Sequence, residues 1–93
     1  MIGHPVITLY VLKGENDKRY IGITNDLSRR MKEHRSKRSK GSQVLGQFVV
    51  LLTEDYADYK SARIREKFLK SGQGREWLNK FESQSEPAIK SGG

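Results

Sequence analysis

An arginine and a histidine four residues apart, Arg30 and His34, fall on the same helical stripe as Leu27 and Met31 in the run DLSRRMKEHRSK. A glutamate, Glu66, falls between Ala62 and Leu69 on another such stripe. Side chains at these spacings share one helix face and turn toward the core. A guanidinium in that position must meet an anion or extend its head to water. For Glu66 the ordinary answer is an ion pair with Arg63 or Lys70, both within helix reach, and the other answer is a site. Two phenols add to the set. If Lys13 pairs with Arg19 across a hairpin, Leu12 faces Tyr20 and Tyr10 faces Gly22, which makes Tyr10 and Tyr20 diagonal neighbours on one sheet face. Gly22 leaves space opposite Tyr10, and a strand glycine often marks close approach of a ligand or of backbone. The two rings therefore read either as packing or as the floor of a site.

The charge pattern names the class of anion. Arg29, Arg30, Lys32, Arg35, Lys37, Arg38 and Lys40 crowd one segment against a single acid, Glu33, and carry six of the seven net positive charges. A block this concentrated favours nucleic acid over other polyanions. An anionic membrane surface fits less well, because the block has almost no apolar or aromatic side chains to insert.

These residues need a scaffold, and 93 residues allow one domain. A chain this short has little interior to spare, so the working site is expected to be a shallow groove. There is no cysteine, which excludes disulfides, Cys-zinc sites and thiol nucleophiles. No apolar run approaches the roughly 18 residues of a membrane span, and the first residues lack a secretory pattern, so an intracellular, cytoplasmic protein is expected. Residues 5–13 (PVITLYVLK) read as a strand buried on both faces and residues 19–24 as its antiparallel partner. Thr24 or Asn25 is placed to cap the first helix. QFVVLLT, the most apolar stretch, reads as a third and central strand. Asp55 or Asp58 starts a second helix that ends near Ser71, and GREWLNKF forms a short third one whose Trp77, Leu78 and Phe81 cover the core. The expected fold is mixed α/β (α+β), a three-stranded antiparallel sheet flanked by three helices. Its domain is residues 1–82, with residues 83–93 a flexible tail.

In order along the chain, Tyr20-Ile21-Gly22, the Arg30-x-x-x-His34 pair, the basic loop, the apolar strand and REKFLKSG resemble the GIY-YIG nuclease domain from about Val6 to Phe81. The first half of the signature is Thr8-Leu9-Tyr10 here, with only its tyrosine kept. The chain is similar to stand-alone members related to the nuclease domain of the excinuclease of nucleotide-excision repair. That resemblance implies metal-dependent hydrolysis of DNA phosphodiesters, with a place in DNA repair and near the nucleoid. It implies that Glu66 holds a single Mg²⁺ or Mn²⁺, that Arg30 holds the scissile phosphate, and that Tyr10 or Tyr20 orients or deprotonates the water. A phenol used as base needs nearby positive charge to favour phenolate. The resemblance also implies that His34 accepts the proton or fixes a tyrosine hydroxyl. Arg29, Lys32, Arg35, Lys37, Arg38 and Lys40 line the nucleic-acid track.

Two departures bear on activity. Ile23 stands where several members carry lysine, so that contribution must come from elsewhere, for example the loop at residues 37–40. Asn79 is the candidate for an asparagine that some members carry beyond the glutamate helix. DNA is the expected partner and no membrane is; the sequence leaves open whether that DNA is branched, damaged or single-stranded, keeps RNA as the alternative polymer, and does not fix the oligomeric state, a monomer being one option. The rival reading is a nucleic-acid-binding module that kept the fold without turnover.

Overall fold

In the computed structural model, which describes residues 6–36 and 46–85, the hairpin forms in the register its sequence dictates. Strand β1 (Ile7–Gly14) pairs antiparallel with β2 (Arg19–Thr24), with Lys13 opposite Arg19, Leu12 opposite Tyr20 and Tyr10 opposite Gly22. The turn between them is closed by Gly14 N–H donating to Lys18 O at 2.8 Å and Asp17 N–H donating to Gly14 O at 3.1 Å. Asp17 takes φ of 65°, a conformation that aspartate tolerates better than most residues.

Strand β3 (Phe48–Tyr56) joins the other side of β1, so the sheet order is β2-β1-β3. This corrects the expectation that the most apolar stretch is central: β1 is central and β3 is an edge, with Val49 63% and Val50 42% exposed. Branched side chains suit any half-buried pleated surface, so apolarity alone does not separate an edge strand from a middle one. A bulge between Val11 and Leu12 shifts the β1–β3 register.

Helix α1 (Leu27–Arg35) follows β2 directly and is capped by Asp26, whose Oδ1 accepts from Arg29 N–H at 3.0 Å. The cap falls later than Thr24 or Asn25, because Thr24 is still paired with Thr8 in the sheet and its Oγ1 accepts from Asp26 N–H. Asp58 caps α2 (Tyr59–Lys70) through Ser61 N–H at 2.8 Å, the later of the two expected starts. Ser71 then serves both neighbours. It ends α2 and opens α3 (Gly72–Ser85) by accepting from Gly74 N–H through Oγ and from Arg75 N–H through its carbonyl. Helix α3 begins earlier than expected and runs to Ser85, into the stretch read as tail, while residues 86–93 lie outside the described residues.

Side-chain alternation along β1 divides the interior in two. Leu9 and Val11 join Ile21, Leu69 and Leu78 in a core beneath α2 and α3, with Trp77 packed against it. Tyr10 and Leu12 join Met31 in a second core beneath α1, with Tyr20, Leu27 and Phe48 at its margin. Glu82, paired with Lys13 and with Arg19 at 2.8 Å, ties the end of α3 back to the hairpin.

The α2–α3 corner tolerates no side chain at Gly74, where a Cβ would meet Phe68 O at 2.0 Å and Leu69 Cα at 2.4 Å, both backbone. At Gly72 a Cβ would meet nothing within 4 Å. Gly74→Ala is therefore expected to lower stability by at least ~2 kcal/mol. Gly72→Ala should stay within about 1 kcal/mol of the parent on either side. Urea denaturation of the two variants checks this, and equal midpoints would show that the corner is looser than its geometry.

Candidate functional site

The α1 face of the sheet gathers four of the five residues singled out for chemistry. Tyr10 lies at the centre of β1 with its side chain fully buried. Its ring occupies the space over Gly22: a Cβ there would stand 2.6 Å from Tyr10 Oη. The gap that the hairpin register left opposite Tyr10 is thus filled by Tyr10 itself and is not open to a ligand. Tyr20, one strand over, is half exposed, with its ring centroid 6.1 Å from that of Tyr10.

Helix α1 contributes the other two. Arg30 Nε donates to Tyr10 Oη at 3.0 Å, one terminal nitrogen donates to Glu33 Oε1 at 2.8 Å, and the other reaches Tyr20 Oη at 3.4 Å. These bonds to Tyr10 and Glu33 hold the guanidinium firmly charged, above even its ordinary range. His34 is 1% exposed, and its Nε2 lies 3.1 Å from Tyr10 Oη. Burial, with Arg30 nearby, lowers the imidazole's affinity for a proton and keeps it neutral. Since Arg30 already donates to Tyr10, the tyrosine's own proton is available to His34. The His34 ring also packs edge-on against Tyr20 and Phe48 at 5.0 and 5.9 Å.

Burial outweighs the arginine at Tyr10, pushing its phenol up to about 12. The arginine by itself does not supply the charge that a phenolate at Tyr10 would need. Tyr10 stays protonated at neutral pH, and Tyr20 is the phenol whose side chain reaches solvent. Glu33, bonded to Arg30 and held below the usual carboxylate range by it, completes the group. It had counted only as the one acid of the basic block, although its position three residues after Arg30 is a pairing distance on a helix.

Glu66 is not among these partners. It sits on the α2 stripe between buried Ala62 and Leu69, on the other side of the sheet, and its Oε2 accepts from Lys70 Nζ at 3.0 Å. Of the two ion pairs expected for it, Lys70 is the one that forms. Its carboxylate is only 14% exposed. No three His, Asp or Glu side chains gather into a metal cage among the described residues. One carboxylate does fit an ion such as Mg²⁺, which keeps most of its waters and takes one or two protein oxygens. Asn79 accepts from Arg19 at 2.7 Å, on the α3–hairpin link and not beside the tyrosines. Arg29, Lys32 and Arg35 are exposed on α1, with Arg29 3.8 Å from Glu33, while Lys37, Arg38 and Lys40 lie outside the described residues.

A pH test follows from His34. Its folded affinity for protons lies below that of a free imidazole, so the unfolded chain protonates first. The stability it contributes is complete above about pH 6.5 and drains away as pH falls below that value, at no more than about 1.4 kcal/mol per pH unit. Denaturant midpoints between pH 7 and 5, above the carboxylate range, should fall for the parent and stay flat for His34→Gln. Tyr10 acts at the other extreme: its raised value adds stability below pH 10 that is lost as pH climbs toward 12.

Comparisons with known proteins bear on the fold and the family. No curated protein matches the chain. Among solved structures, the UPF0213 protein BH0048 from Bacillus halodurans, determined in solution by NMR, is similar at a TM-score of 0.52 and 27% identity, over 81% of this chain and 83% of that one. That likeness supports the fold. The GIY-YIG catalytic domain profile matches residues 6–83. The match takes in the hairpin with both tyrosines, the arginine–histidine helix and the glutamate helix. Among the described residues, no helix is long and apolar enough to cross a membrane. With nearly the whole chain matched, the protein belongs to the GIY-YIG catalytic domain family, a family of endonucleases.

Proposed function

We propose that this protein hydrolyses phosphodiester bonds in DNA with the help of one divalent cation. The observation that carries the reading is the convergence of Arg30, Tyr10, Tyr20 and His34 through hydrogen bonds and ring contacts on the α1 face. Structural ion pairs alone do not require a fully buried phenol, a neutral buried imidazole and a charged guanidinium to share one node.

In this reading Arg30, about a quarter exposed along its side chain, offers its fork to a phosphate. Bidentate binding of a phosphate would exchange its contacts with Glu33 and Tyr20 for phosphate oxygens, while Nε stays on Tyr10. Tyr20, the less buried of the two phenols, orients the attacking water. As the new P–O bond forms and the bond to the leaving oxygen breaks, the water's proton passes toward the Tyr10–His34 pair and the leaving oxygen takes a proton from solvent. Tyr10 Oη lies 3.1 Å from His34 Nε2, and the Tyr10 ring centroid lies 6.1 Å from that of Tyr20. Tyr10 itself is a positioning residue, since a fully buried hydroxyl does not touch the water. Glu66 is the residue that would hold Mg²⁺ or Mn²⁺, which would supply charge neutralisation to the phosphodiester backbone where it rounds the β2 edge. Strand β2 is a sheet edge, with α1 on one face and α2 packed over it on the other. A strand of DNA lying along that edge meets both layers.

The second reading, a nucleic-acid-binding module without turnover, is favoured by the Lys70 ammonium already seated on Glu66 and by Ile23 in the place of lysine. One experiment separates the two. Supercoiled plasmid and a branched oligonucleotide panel are incubated at low salt with Mg²⁺, Mn²⁺ or EDTA. Cleavage is expected with metal only, and Glu66→Gln should lower it by ~10²-fold or more while leaving the binding affinity within about twofold. Retained cleavage in that variant removes Glu66 as the metal ligand, and binding without cleavage under every condition establishes the second reading.

A further inference from the structure

On the side of the sheet away from the tyrosines, a cavity of about 430 Å³ opens between the β1–β2 turn and the α2–α3 corner. Its walls carry Lys18, Arg19, Lys70 and Arg75 over an apolar floor of Ile21, Leu69 and Leu78. The acid on its rim, Asp17, is 89% exposed and stands 3.6 Å from Lys13. Two of the four cations are already neutralised, Arg19 by Glu82 at 2.8 Å and Lys70 by Glu66 at 3.0 Å. Lys18 and Arg75 are not: among the described residues neither side chain meets a carboxylate. Two uncompensated cations over a low-dielectric floor raise the positive potential inside the cleft and draw an anion into it.

We propose that this cleft seats a backbone phosphate of the nucleic acid, so that the polymer is held on the Glu66 layer as well as along α1. Charge on α1 alone would anchor a strand on one side of the sheet only. Lys70 joins the two places, since it lines the cleft and bonds Glu66 one helical turn back. A strand whose phosphate lies at Glu66 therefore runs into the cleft next. Arg75 brings a fork that fits two phosphate oxygens and Lys18 a mobile point charge. The cleft is open to solvent and carries its cations over an apolar floor, which suits a chain passing through better than an enclosed small molecule. A phosphate there also competes with Glu66 for the Lys70 ammonium, so filling the cleft loosens the lysine's hold on the carboxylate. The proposal takes the identity of the polymer from the nucleolytic reading, but it concerns binding and not turnover.

The test is fluorescence anisotropy with a labelled branched DNA oligonucleotide across a range of salt. The double variant Lys18→Gln/Arg75→Gln is compared with the parent and with Lys60→Gln/Lys80→Gln, which removes the same charge from exposed positions outside the cleft. All four side chains are exposed, so each variant is expected to fold, and circular dichroism checks it. The cleft variant should bind about tenfold more weakly at low salt, with the slope of log affinity against log salt reduced by about two, while the control keeps the parental slope. Parental affinity and slope in the cleft variant, or an equal loss in the control, overturns the proposal. The nucleolytic reading fails separately, if the parent binds this DNA but never cuts it. A parent that binds neither DNA nor RNA overturns both.

Discussion

One strand has to satisfy two opposite layers. Because β1 is the middle strand and its side chains alternate, Leu9 and Val11 are committed to the core under α2 and α3, and Tyr10 and Leu12 to the core under α1. A shift of one residue in its pairing would exchange these sets and place the phenol among leucines, away from Arg30 and His34. The register of a single hairpin therefore decides both the packing and the position of the candidate site.

The polar group on the α1 face is stable because it is complete. Tyr10 Oη accepts from Arg30 and lies against His34, Arg30 also meets Glu33, and among the described residues no buried side-chain nitrogen or oxygen lacks a partner. In an interior of low polarity such a network is favourable only when every member is served. The same burial sets the protonation states, lifting Tyr10 above the usual phenol and lowering His34 below the usual imidazole. A protonated phenol and a neutral base held at 3.1 Å form a ready hydrogen-bonded pair, with a permanent cation beside them.

Local pattern carried much of this. The hairpin register followed from turn length and alternation, and Met31 and His34 face inward as helical spacing requires. The family was legible because its residues are dispersed over most of the chain in a fixed order. What the sequence hid was long-range. Nothing in QFVVLLT says that it lies at an edge, since sheet order depends on which side of β1 is left to cover. Nor does the spacing of Tyr10 reveal that its hydroxyl is sealed from solvent, a consequence of α1 crossing above it. Lys18 and Arg75 gave no signal at all, being 57 residues apart and joined only by the meeting of a turn and a helical corner.

The ring of Tyr10 lies where a side chain at position 22 would be, within 2.6 Å of its first atom. The last residue of the family's first half-signature and the last residue of its second are thus one steric object written in two places. Neither can drift alone. A lineage that enlarges position 22 must first shrink position 10 and give up the phenol, and one that loses the phenol opens a hole that a larger residue at 22 can fill. The two positions are expected to be inherited, and abandoned, as a pair.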